Sequence, residues 1–206
     1  MQLREVHDPY YLTFTDPSVD AVRNLLRLNP TYWEQFTKFK HHALPEDVGQ
    51  ALIEQVPCWR QLKLWNQRVS IFVTPPRTYY RAHRDGYDLM AGLNYPLHIA
   101  DDRSITRFWN DEQVLGMYKV DAVTKRSREL VNFNPYRQQP VCQFTMKPDE
   151  AVVLNVGNFH DFHNRSDQHR VILTFRTLDK DMTYERFSSI VKEACSSPAS
   201  HVQTSV

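Results

Sequence analysis

His83 and Asp85 stand two apart in Tyr79-Tyr80-Arg81-Ala82-His83-Arg84-Asp85-Gly86, a run that reads as the end of a β-strand. Side chains alternate across a strand, so an imidazole and a carboxylate at that spacing share one face and can take adjacent positions on one metal ion. Gly86 lets the chain turn away directly afterwards. The same alternation places Tyr79 and Arg81 on the face of His83, which makes them candidates to line a substrate pocket. A second cluster lies far downstream, in Gly157-Asn158-Phe159-His160-Asp161-Phe162-His163-Asn164-Arg165-Ser166 and then His169-Arg170. His160 follows His83 by 77 residues and precedes Arg170 by ten. The chain holds nine histidines. Of the others, His41, His42 and His98 have no carboxylate or thiolate at ligand spacing and read as surface or packing residues, and His7 and His201 lie in the termini.

This combination resembles the Fe(II)- and 2-oxoglutarate-dependent oxygenases, whose sequences show HxD, a long gap, a distal His and an Arg or Lys shortly after it. Small members similar to the aspartyl/asparaginyl hydroxylase branch add an LNxPL-type strand, a T-x-F strand and H-x(3)-N-x-S-x(3)-R. The counterparts here are Leu93-Asn94-Tyr95-Pro96-Leu97, Thr106-Arg107-Phe108, and His160 with Asn164, Ser166 and Arg170. The match runs from Tyr79 to Phe175. The resemblance implies Fe(II) held by His83, Asp85 and His160, with 2-oxoglutarate and dioxygen as cosubstrates, the oxo acid paired with Arg170 and facing Asn94. It also implies hydroxylation of an unactivated C–H with release of succinate and CO2. Related halogenases replace the carboxylate ligand with a small residue, and the presence of Asp85 argues against that outcome.

The ligand chemistry is consistent with this. Two imidazoles and one carboxylate on one side of Fe(II) leave open positions for a bidentate oxo acid and for dioxygen. A remote carboxylate is matched by the planar fork of an arginine. Rivals remain for two positions: His163, seven residues before Arg170, for the distal ligand, and Arg165 or Arg176 for the oxo-acid cation. The expected substrate is a small molecule or peptide, in particular an amino acid, free or peptidyl, whose carboxylate Arg81, Arg176 or Arg107 would hold. Two other functions would use the same strands: a non-oxygenase metal-binding cupin-like enzyme, which needs no Arg170, and a non-catalytic ligand-binding barrel.

The elements that must position these residues follow from periodicity. A short strand at Tyr10 to Phe14 precedes three helices: one opening at Asp16-Pro17 and ending before Asn29-Pro30, one over Thr31 to Lys40 on the spacing of Trp33, Phe36 and Phe39, and one from Pro45 with Val48, Leu52 and Val56. Helical residues thus occupy 16–57. From 68 to 178 the period changes to two, in runs Val69 to Val73, Tyr79 to His83, Met90 to Ile99, Ile105 to Trp109, Val141 to Met146, Ala151 to Val156 and Arg170 to Thr177. Their separators are antiparallel turn chemistry, so the expected fold is mainly β with flanking α: a double-stranded β-helix, a jelly-roll or cupin-like barrel supported by N-terminal helices. On the last strand, Arg170, Ile172, Thr174 and Arg176 should face the barrel, and Val171, Leu173 and Phe175 the helices. Residues 110–139 read as a hairpin with a long polar excursion suited to a lid, 180–194 as a closing helix, and 196–206 as a disordered tail.

Composition sets the bounds. The 206 residues are 41% hydrophobic and 24% charged, which fits one folded domain over 1–195. Lys+Arg 25 against Asp+Glu 24 leaves +1, no field for nucleic acid or an anionic membrane, and Lys125-Arg126-Ser127-Arg128 is too short a run to change that. Cys58, Cys142 and Cys195 form no CxxC pair and no disulfide framework. With no apolar run of membrane length, the expectation is a cytoplasmic protein, of unassigned oligomeric state.

Overall fold

The computed structural model describes residues 1–85, 91–115, 135 and 137–196. Among these residues, eleven strands form two antiparallel sheets. The elements are β1 (Gln2–His7), β2 (Tyr11–Thr15), α1 (Ser18–Leu26), α2 (Pro30–Glu34), β3 (Lys40–Ala43), α3 (Glu46–Glu54), β4 (Ser70–Thr74), β5 (Thr78–His83) and β6 (Ala91–His98). They continue with β7 (Ser104–Trp109), α4 (Asp111–Leu115), β8 (Cys142–Thr145), β9 (Glu150–Asn155), β10 (Phe159–Asn164), β11 (Arg170–Phe175) and α5 (Tyr184–Ser196). The larger sheet runs β1-β2-β9-β6-β11-β4-β3 and the smaller β5-β10-β7-β8. Strands β4 to β11 alternate between the sheets except at β7 and β8, which are neighbours in the smaller one, and they pair in nested fashion, β4 with β11, β5 with β10, β6 with β9 and β7 with β8, which is the winding of a double-stranded β-helix.

One face of the larger sheet meets the helices and the other faces the smaller sheet across the barrel lumen. The alternation expected on β11 holds: Val171, Leu173 and Phe175 are fully buried in the layer against α1, α3 and α5, together with Val22, Leu52 and Phe187. Ile172 packs inside the barrel with Phe108, Phe144, Met146 and Val152. The helical layer is tied to the sheet by a buried hydrogen-bond cluster. Asp16 Oδ1 accepts the Ser18 N–H at 2.8 Å at the start of α1, while its Oδ2 accepts from Trp59 Nε1 at 3.0 Å and from Tyr95 Oη at 2.5 Å.

Four expectations are corrected. The helix read over Thr31 to Lys40 stops at Glu34 after one capped turn, with Asn29 Oδ1 accepting the Thr31 N–H. The chain then returns to add β3 to the edge of β4, because pairing an open strand edge outweighs an aromatic spacing of three that suits either state. Strand β1 was not expected; it hydrogen-bonds β2 but is mostly exposed, so it carries no hydrophobic pattern. Strand β10, central in the smaller sheet, is not among the expected runs, because Phe-His-Asp-Phe-His-Asn lacks β-branched residues and carries three titratable groups. Helix α5 begins at Tyr184, after a turn over Asp179 to Thr183. The Gly86 turn, Lys125 to Arg128, most of the expected lid and 197–206 lie outside the described residues. No helix among the described residues is long and apolar enough to cross a membrane.

Replacing Asp16 by Ala leaves the buried Tyr95 hydroxyl without its acceptor and the start of α1 without its carboxylate, while Trp59 Nε1 keeps Tyr95 Oη at 2.7 Å. Urea unfolding should show a loss of about 2–4 kcal/mol, with divalent-metal binding by the folded fraction unchanged.

Candidate metal centre and its cavity

Strand β10 lies between β5 and β7, and its pairing with β5 sets His160 directly opposite His83. The register then slips by one residue: Phe162 pairs with Tyr80, so Arg81 and Ala82 together oppose Asp161. This bulge changes the phase of β5. Tyr80 and His83 both face the lumen with Phe162 and His160, while Tyr79 points to the outer face and its Oη donates to Asp161 Oδ2 at 3.1 Å. The expectation that Tyr79 and Arg81 line the pocket is therefore corrected. Neither borders the cavity, and Arg81 is exposed.

His83, Asp85 and His160 come together, with one ligand atom from each all within 4.8 Å of one another. The imidazole centroids are 4.4 Å apart, and His83 Nε2 lies 3.8 Å from Asp85 Oδ1. Each histidine is oriented by its own strand: His83 Nδ1 donates to the Arg81 carbonyl at 3.0 Å and His160 Nδ1 to the Asn158 carbonyl at 2.9 Å. A carbonyl only accepts, so each neutral ring carries its proton on Nδ1 and keeps an Nε2 lone pair for a metal. His163 lies on the outer face, where its Nδ1 accepts from Arg165 Nε at 3.2 Å, and it does not belong to the cluster.

Burial sets the charges. Desolvation, reinforced by the neighbouring His83, pushes His160 down to about 4, and desolvation also lowers His83. Burial works to raise the Asp85 carboxyl, but Arg176, His160 and His83 outweigh it and hold it below the ordinary carboxylate range. At neutral pH the cluster is two neutral imidazoles and a carboxylate, the protonation state a divalent cation needs.

Arg176 was a candidate for the oxo acid or the substrate, and the structure gives it different work. Its Nη2 donates to Asp85 Oδ2 at 2.5 Å, which leaves Oδ1 on the side of the histidines. The guanidinium passes over Gly92, where a Cβ would collide with Arg176 Nη1. Arg107, another substrate candidate, is likewise committed: it forms a bidentate pair with the fully buried Asp161, at 2.8 and 3.0 Å, beneath Trp109 on the outer face of the smaller sheet.

Arg170 differs from these. It is 5% exposed and lines the same cavity as the three ligand residues. One Nη2 donates to Thr106 Oγ1 at 3.3 Å, its guanidinium lies 5.3 Å from the Phe162 centroid, and its Nε is buried with no acceptor. No carboxylate pairs with it among the described residues. Desolvation lowers its pKa to about 10, so it stays charged at neutral pH. Asn94 also borders the cavity, its Oδ1 accepting from Thr174 Oγ1 at 2.5 Å. Asn164 and Ser166 serve the fold instead: Asn164 Nδ2 donates to the carbonyls of Thr74, Pro75 and Gln168, and Ser166 Oγ to Asp101, which ties the β10–β11 turn to the start of β5.

The cavity holds about 550 Å³. Its inner part is walled by Phe144, Met146, Val152 and Ile172, and its outer part by Phe39, His41, Phe72 and Tyr80. Sequence reading missed Tyr80 and Phe162, hidden by the bulge and the unread strand, and Phe39, hidden by the helix assigned to it. Thr106 stood in the T-x-F strand but had no role attached.

No family model matches the chain, and no curated protein matches it in sequence. Solved structures do. The epimerase SnoN in complex with Fe3+, alpha ketoglutarate and nogalamycin RO is 9% identical with a TM-score of 0.50, over 84% of this chain and 82% of that one. The non-heme alpha ketoglutarate dependent carbocyclase SnoK from nogalamycin biosynthesis is 16% identical at TM-score 0.49, over 82% and 80%. HygX from Streptomyces hygroscopicus, with nickel and 2-oxoglutarate bound, is 12% identical at 0.45, over 81% of each chain. The likeness to SnoN and the nested strand order agree on the fold, a double-stranded β-helix.

An unperturbed histidine pair would lose metal as the pH falls through about 6.5. With His160 neutral down to about 4 and His83 also lowered, protons compete only in more acid solution. Calorimetric titration with Co(II) should give affinities that agree within about threefold between pH 7.5 and 5.5 and fall below that range. A steady decline beginning above pH 6 would contradict this assignment.

Proposed function

We propose that the protein is an Fe(II)- and 2-oxoglutarate-dependent dioxygenase that hydroxylates an unactivated C–H of an amino acid. The observation that carries this reading is Arg170. A guanidinium buried without a counter-charge costs several kcal/mol, and here it faces a cavity that also holds a two-histidine, one-carboxylate cluster. Both features are answered by one ligand, an oxo acid with a remote carboxylate. SnoN supports the reading, since the structure of that enzyme contains Fe3+ and alpha ketoglutarate within the same fold.

The donor set fits the metal: His83, Asp85 and His160 would hold Fe(II) and leave positions for other ligands. When bound, Fe(II) with 2-oxoglutarate and dioxygen supplies oxidative decarboxylation to succinate and CO2, coupled to insertion of oxygen into a C–H bond. The chain's own residues provide binding and orientation. Arg170 and Thr106 fix the remote carboxylate, with the unmatched Nε of Arg170 completing a two-point fork. Arg176 holds one oxygen of Asp85, so this carboxylate presents a single oxygen to the metal side. Phe144, Met146, Val152 and Ile172 give the inner cavity an apolar wall, and an apolar surrounding strengthens the Arg170 interaction.

Calorimetry on Mn(II)-loaded protein separates the two halves of the oxo acid. Arg170→Gln should weaken 2-oxoglutarate about 30- to 100-fold and leave pyruvate, which has no remote carboxylate, nearly unchanged. Equal losses for both acids, or none for either, would remove Arg170 from the site and the reading with it.

A further inference from the structure

The outer half of the cavity has a composition of its own. Its walls are rings set close together: Phe39 lies 4.2 Å from Tyr80 and 5.9 Å from Phe72, Tyr80 stacks on Phe162 at 4.8 Å and 12°, and His41 stacks on Phe72 at 4.6 Å and 16°. This wall adjoins the ligand cluster, since Tyr80 meets His83 edge to face at 4.9 Å. Rings in such an arrangement present faces and edges that favour another π-system over an aliphatic group of equal size.

The charges are one-sided. Among the described lining residues there are four guanidiniums, Arg68, Arg84, Arg170 and Arg176, and one carboxylate, Asp85. Arg176 neutralises Asp85, and Arg170 lies across the aromatic wall, against Phe162. Arg84 reaches Asp111 with Nη2 at 2.5 Å, while its Nε is buried without an acceptor. Arg68 sits 5.1 Å from the Trp65 centroid and has no carboxylate partner among the described residues. The cavity is therefore cationic even after the oxo acid is assigned to Arg170, and a cationic substrate would be repelled.

We propose that the substrate is a free aryl carboxylate, its ring held against Phe72, His41 and Tyr80 and its carboxylate turned to Arg68 at the cavity mouth. This rests on the oxygenase reading and narrows its amino acid to a free one with an aromatic ring, since an aromatic peptidyl side chain brings no carboxylate for Arg68.

The test is calorimetry on Mn(II)-loaded protein saturated with N-oxalylglycine, an oxo-acid analogue that fills the Arg170 end. The probes are 3-phenylpropanoate, its neutral amide 3-phenylpropanamide, and 3-cyclohexylpropanoate. The phenyl acid should bind about tenfold tighter than either of the others. Arg68→Gln should abolish the preference over the amide, and Phe72→Leu the preference over the cyclohexyl acid, each leaving the other preference in place. Failure of N-oxalylglycine itself to bind would overturn the oxygenase reading and this proposal together. If the analogue binds but the phenyl acid does not bind at millimolar concentration, or the three probes bind alike, the substrate class is wrong and the oxygenase reading stands.

Discussion

The pairing of β10 with β5 is the constraint on which the site depends. Two strands far apart in sequence are neighbours because the barrel winds its chain in nested pairs, so the second strand of the eight meets the seventh. That places His160 against His83, and the strand end beyond His83 brings Asp85 to the same point, its N–H held by the Val156 carbonyl at 2.9 Å. The bulge in this pairing matters as much as the pairing. Without it, Tyr80 would turn outward and the aromatic wall beside the ligands would open. Each imidazole is then aimed by a bond to nearby backbone, so the geometry of the two histidines is a property of the sheet, while Asp85 is also held by Arg176.

Around this centre the arginines are sorted by what they are paired with. Arg107 is matched with Asp161 on the far side of the sheet, where the pair hydrogen-bonds with Trp109 and Tyr79. Arg176 is matched with Asp85 and acts on the ligand set itself. Among the described residues Arg170 is matched only with a threonine hydroxyl and the face of Phe162, and that imbalance is what supports the proposal of an anionic ligand in the cavity. Removing a partner from a buried ion pair costs 3–5 kcal/mol as an order of magnitude, so a buried cation built in without one implies that a ligand supplies the missing charge.

The legibility of the sequence divides along the same lines. His83 and Asp85 were readable because alternation needs only neighbours, and the two faces of β11 were readable for the same reason. His160 and Arg170 were readable only through resemblance to a known motif, since the strand bearing His160 has no β-like composition and its pairing is non-local. The roles of Tyr79 and Arg81 were misread for one cause: a bulge is set by the partner strand, and it inverts every face assignment beyond it. Arg107 was misread for another, since its partner Asp161 stands opposite it on β10, the strand whose composition does not announce it. Phe39 went to a helix because aromatic spacing of three is compatible with helix, and only the unpaired edge of β4 decides otherwise. The Asp16–Trp59–Tyr95 cluster joins residues up to 79 apart, and no local pattern announces it.

If one metal, held by His83, Asp85 and His160, shares its cavity with an oxo acid, anaerobic titration of the Fe(II)-loaded protein with 2-oxoglutarate should show it in the visible region. A weak metal-to-ligand charge-transfer band should saturate at one equivalent per chain in the wild type and be absent from folded His160→Ala. Wild-type protein that demonstrably binds Fe(II) and gives no band would rule out the shared site.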